Sequence, residues 1–105
     1  MNFDKNDIIE ITTLIEKDLQ IDNSELINCD AFEAFKKRLT EIISYLLDKD
    51  FERLLTAMYR IDINEEKFKA ALSINPTSEI APSIAALIIE REMQKVITRR
   101  KYSSK

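Results

Sequence analysis

Glycine and histidine are both absent from this sequence of 105 residues, whereas an average chain of this length has about seven glycines. Without glycine the chain cannot form the Gly-rich loops that bind phosphates or dinucleotides. Without histidine it cannot form the catalytic triads and dyads that depend on an imidazole. Turns and helix ends must therefore be made by Asn, Asp and Ser.

Cysteine is nearly absent as well. The single cysteine, Cys29, excludes a disulfide within the chain and, with no histidine present, the usual kinds of zinc site. We interpret Cys29 as a small buried apolar residue beside a helix start. The segment that begins at Asp62 has the first oxygen ligands of a calcium loop, but Lys67 and Ser73 occupy the positions that need glycine and glutamate. We therefore expect no metal and no cofactor.

Long apolar runs are also lacking. Nowhere does the sequence contain the roughly 18 consecutive apolar residues that a membrane-spanning helix needs. The first 15 residues are acidic and have no apolar run of secretory length. These features predict a cytoplasmic protein without a membrane partner.

What the sequence does contain is helical periodicity. It is 45% hydrophobic and 33% charged, a mixture typical of a folded, helix-rich protein, and no segment alternates as a strand would. We predict an all-α fold: a compact bundle of about five helices with a long C-terminal helix. It forms a single domain over residues 1–105, with a polar tail from about residue 103. The predicted helices begin at about residues 4, 30, 48 or 50, 64 and 78. The first ends near residue 19, the third around residues 60–62, the fourth before residue 75 and the last near residue 102.

Local signals fix several helix starts. Asp30 with Glu33 resembles a capping box at the second helix, Asp48 or Asp50 begins the third, and Asn64 begins the fourth. Within the third helix one face carries apolar residues with an aromatic residue at its border: Phe51, Leu54, Leu55 and Met58, then Tyr59.

The apolar side of the C-terminal helix changes direction along its length. Its first half has Ile80, Ile84, Leu87 and Ile88 on one face, and the apolar residues of its second half lie on roughly the opposite side. Since a helix packed in one core needs one stripe, two interpretations remain open. Either other helices of the chain wrap around it, or the second stripe meets another chain, most simply a second copy. The predicted partner interface consists of Ile89, Met93, Val96, Ile97 and Arg100.

Charge is distributed unevenly. Residues 1–50 contain twelve acids and six bases, whereas residues 51–105 contain seven acids and ten bases. On the C-terminal helix Arg91, Lys95 and Arg99 form an i, i+4, i+8 row, with Lys101 beyond. This row is either a solvated face with cations that suit the end of a helix or a patch for an anion or nucleic acid.

Catalysis is not predicted. Carboxylates are plentiful, but we find no pair within an otherwise apolar helix face, where a raised pKa would be expected. Asp18 and Asp62 lie nearest to such faces, and both are explained as helix-end residues. We therefore predict an interaction or regulatory module that self-associates as a dimer through its C-terminal helix or binds another protein. The alternative is association with nucleic acid or the ribosome through the basic row.

Overall fold

The computed structural model describes residues 5–20 and 32–103, which form helices joined by short connections. They comprise α1 (Lys5–Leu19), α2 (Phe32–Lys49), α3 (Phe51–Ile61), α4 (Glu65–Leu72), a 3-10 turn (Thr77–Glu79) and α5 (Ile80–Ser103). The described ranges contain no strand, so the all-α prediction with a long C-terminal helix is confirmed. Predictions that concern Cys29 and the Asp30 cap lie outside the described residues.

Two predicted helix caps are present. The Asp50 carboxylate accepts a hydrogen bond from the Arg53 backbone N–H at 3.3 Å and caps α3. The Asn64 side chain accepts one from the Lys67 backbone N–H at 3.0 Å and caps α4. These bonds satisfy donors that the first turn of a helix leaves without partners.

The end of α3 shows how the chain turns without glycine. Asp62 has φ 68° and ψ 52°, in the left-handed region. Asp and Asn enter this region more easily than most residues, because their short polar side chains can bond locally. The Asp62 N–H donates to the Met58 carbonyl oxygen at 3.0 Å and so closes the last turn of α3.

Helix α5 forms the axis of the molecule. Its 24 residues extend for about 36 Å, and the longest dimension of the structure is 43 Å. All four other helices pack against it. Ile84, Ile88 and Val96 along its length are fully or almost fully buried. Among the described residues, no helix has both the length and the apolar character required to traverse a lipid bilayer.

Helix α3 buries only part of its apolar face. The residues it buries are Leu54, Ala57, Met58 and Ile61, and this side contacts α1, α2 and α5. Phe51 and Leu55, predicted to share one face with Leu54 and Met58, remain partly open to solvent. The four residues thus differ in burial, because the neighbouring helices cover only one side of the predicted face.

Candidate interaction surface

A groove of about 540 Å³ lies between α3 and α4. Polar residues of the helix connection and of α4 also line it, among them the exposed Asp62, Glu65 and Lys69. Its apolar lining comes from both helices and the link between them: Phe51, Leu55, Met58, Tyr59, Ile63, Phe68 and Leu72. A concave apolar surface with a few polar groups at its edge is typical of a binding site.

Three of these residues form a continuous row that we call the α3 stripe: Phe51, Leu55 and Tyr59. They are spaced four residues apart and therefore lie on one side of the helix. Phe51 and Leu55 are each 39% exposed, and Tyr59 is 89% exposed. The other large hydrophobic side chains exposed in the described ranges, Ile9, Tyr45 and Ile97, belong to three different helices. The α3 stripe is thus the place where exposed apolar residues follow one another along a single helix.

The interface predicted on α5 does not form one exposed patch. Ile89 and Val96 are buried in the core, and Met93 is partly buried against it. Ile97 is 43% exposed, and Arg100 pairs with Asp7 on α1. Other helices of the same chain therefore cover much of the second apolar stripe, as the first of the two interpretations proposed. A partner contact through Ile97 and Arg100 stays a prediction.

The residues of the predicted basic row also lie in different surroundings. The Arg91 guanidinium donates to the Asp62 carbonyl oxygen at 3.2 Å and to its carboxylate at 3.3 Å. Lys95 is 3.1 Å from a Glu92 carboxyl oxygen and 3.9 Å from one of Asp18. Arg99 and Lys101 lie exposed near the end of α5. Arg91 and Lys95 thus have carboxylate partners within their own chain, and the anion or nucleic-acid patch stays a prediction.

A carboxyl group on α5 is fully buried. Glu92 has no exposed surface, and it was not among the candidate residues that the sequence indicated. Its Oε1 lies 3.1 Å from the Lys95 ammonium nitrogen. Burial, and then a hydrogen bond with the neighbouring Asp18 carboxyl, raise the pKa of Glu92 to about 7, although Lys95 opposes the rise.

The sequence contained a signal for this site. Ile88, Glu92 and Val96 are spaced four residues apart, so Glu92 occupies the middle of an apolar row. A carboxyl group with a pKa near neutrality could exchange protons with a substrate. Glu92, however, is enclosed by protein, so a substrate cannot reach it in this conformation. We interpret the site as a buried ionisable group that affects stability.

Neither a metal-binding cluster among the described residues nor similarity to a known protein indicates a function. Within residues 5–20 and 32–103, no three Cys, Asp or Glu side chains are grouped so that they could hold a metal ion. No protein-family model, curated protein or solved structure matches the chain. Function must therefore be argued from the surface of the molecule itself.

Proposed function

We propose that the protein is a small helical interaction module that binds another protein surface through the α3 stripe and the adjacent groove. One observation carries this proposal: Phe51, Leu55 and Tyr59 lie exposed in a row beside an apolar concavity. Single exposed apolar residues are common on folded proteins and need no explanation. A contiguous apolar patch with a polar rim is typical of an interaction site.

The kinds of residue in the stripe support the proposal. Tyrosine and phenylalanine are enriched at the centres of protein interfaces. Each buries a large area, and few rotatable bonds of its side chain have to be immobilised. Tyr59 also has a hydroxyl group that can keep a polar partner at the edge of a contact. The structure of the surface therefore favours a docking site on α3 over the site first predicted on α5, where Ile89 and Val96 belong to the core.

Site-specific photo-crosslinking in cells tests the proposal. Benzoylphenylalanine replaces Tyr59 in the full chain, and in a control chain it replaces Tyr45, an exposed tyrosine on α2 that does not line the groove. We expect a covalent adduct with a defined protein from position 59 and none from position 45. The adduct should be lost when Leu55→Asp is added, because a charge then enters the apolar contact.

Mass spectrometry of the adduct identifies the protein that was bound. Equal labelling from positions 59 and 45, or no adduct from position 59, would contradict the proposal. An adduct that persists with Leu55→Asp would also contradict it, because the stripe would not contribute to binding.

A further inference from the structure

We infer that the partner at this surface is a second copy of the same chain, with the two α3 helices packed antiparallel about a two-fold axis near Leu55. The inference rests on the proposed function and adds the identity of the partner. Two independent patterns on the surface of α3 carry it, one apolar and one charged.

The apolar pattern is the same in both directions along the helix. Aromatic residues lie four positions before and four positions after Leu55, namely Phe51 and Tyr59. Each is about 6 Å from Leu55 along the axis. A two-fold axis at Leu55 therefore places Phe51 of each copy opposite Tyr59 of the other, and the two Leu55 side chains opposite each other. Such an interface is isologous, because one surface patch serves both copies.

The charged pattern on α3 is complementary to that of a second copy only when the two helices run in opposite directions. Next to the α3 stripe, one residue further along the chain at each step, lie Glu52, Thr56 and Arg60, all exposed. This row has an acid at one end and a base at the other. A second copy related by a two-fold axis at Leu55 brings Glu52 and Arg60 of opposite chains to within about 3 Å of each other along the helix axis, twice. Their long side chains can span this offset, whereas a parallel copy brings like charges together.

These two charged side chains are available for such contacts. Neither Glu52 nor Arg60 forms an ion pair with another described residue of the chain. Arg60 lies within hydrogen-bonding distance of the Gln20 side-chain amide. This amide is neutral, so it does not balance the positive charge of Arg60. A carboxylate from a second copy would balance it.

The charges at the rim of the groove argue against a strongly charged peptide as the occupant. Glu65 is 3.5 Å from Lys69, and Asp62 is 3.3 Å from Arg91. Each of these acids already has a base in its own chain. The groove thus favours an apolar occupant with little net charge, and Tyr59 of a second copy, 89% exposed in the free chain, has this character.

Sedimentation equilibrium of the purified full chain is the first test. We expect the wild type to be in monomer–dimer equilibrium between micromolar and millimolar concentrations. Tyr59→Asp should raise the dissociation constant at least about tenfold, as expected for loss of a central aromatic residue. The matched control Tyr45→Asp should change it by less than about twofold. A monomeric wild type, or equal effects of the two substitutions, would overturn the inference.

A charge exchange provides the sharper test. Glu52→Arg leaves a base at both ends of the charged row, and Arg60→Glu leaves an acid at both ends. Each variant alone should dimerise about three- to tenfold more weakly than the wild type, because like charges then meet twice. An equimolar mixture should form mixed dimers, and the double variant should recover wild-type affinity. A mixture that associates no better than its components would overturn the antiparallel arrangement.

The two experiments separate failure of the inference from failure of the proposed function. If the purified chain is monomeric while position 59 crosslinks to a different protein, the surface binds a partner and only the second-copy inference is overturned. If the purified chain is monomeric and position 59 forms no adduct, both are overturned. If the adduct contains two copies of this chain, both are supported.

Discussion

At the scale of single residues, Glu92 is a carboxyl group that the fold removes from water. Its carboxyl group has no exposed surface, and it shares its site with Asp18 and Lys95. Since burial disfavours the charged form, the folded protein holds this proton more tightly than the unfolded chain does. Stability contributed by the protonated group is therefore complete at low pH. It is lost as the pH rises from the unfolded pKa of 4.5 to the folded pKa of about 7.

The first prediction concerns Glu92→Gln, which replaces the carboxyl group with a neutral group of the same shape. The difference between pKa values of 4.5 and about 7 corresponds to roughly 3 kcal/mol. The free energy of unfolding of the variant, minus that of the wild type, should therefore grow by about 3 kcal/mol between pH 4.5 and pH 8. Urea unfolding at a series of pH values measures this difference.

The matched control is Glu90→Gln. Glu90 lies two residues away on the same helix, but its side chain is 61% exposed and its nearest cation, Lys67, is 3.9 Å away. The control should follow the wild type within about 0.5 kcal/mol at every pH. A Glu92 variant whose difference from the wild type does not change with pH would show that folding does not raise the pKa of Glu92.

At the scale of helices, the features that the sequence predicts well are those set by residues close together in the chain. The caps at Asp50 and Asn64 need only a side-chain oxygen and a backbone N–H three residues later, so both could be predicted. The side of a helix that becomes buried depends instead on where distant helices lie. For this reason the exposure of Leu55 and the burial of Glu92 could not be decided from periodicity alone, and the candidate groove was not predicted.

Substitutions in the second apolar stripe of α5 can measure which of its residues belong to the core and which face solvent. Val96 is almost fully buried, whereas its neighbour Ile97 is 43% exposed. Val96→Asp places a charge in the core and should destabilise the folded chain by about 3 kcal/mol or more. Ile97→Asp should cost less than about 1 kcal/mol, because its side chain already reaches water.

Circular dichroism with urea unfolding separates the two substitutions, and sedimentation reports whether either one changes association. If Val96→Asp stays as stable as the wild type but prevents dimer formation, then the interface lies on α5 rather than on α3. In that case the interface first predicted from the sequence would be restored.

At the scale of the whole molecule, the fold brings the acidic and basic parts of the chain together. Arg100 near the end of α5 pairs with Asp7 near the start of α1, and Lys95, one turn earlier, lies by Asp18 near the end of α1. The order of these two pairs means that α1 and α5 run antiparallel. Two cations of the basic C-terminal half are thereby paired with acids of the N-terminal half within one chain. A basic row in a sequence can therefore serve contacts between helices of the same chain as well as contacts with a partner.

The dimer inferred above has a consequence for thermal stability. The described core residues are buried within one chain, so each copy should fold alone and then associate. A folded chain that dimerises is stabilised by mass action. The melting temperature of the wild type should therefore rise by several degrees over a hundredfold increase in protein concentration, a gain of about 2 kcal/mol or less.

Tyr59→Asp isolates this contribution, because Tyr59 is 89% exposed in the single chain and its substitution removes little packing from the core. At low concentration its melting temperature should match that of the wild type within about 2 °C, and it should not rise with concentration. Scanning calorimetry over the hundredfold range measures both proteins. A wild-type melting temperature that is constant over this range would mean that the apolar surface of α3 does not bind a second copy.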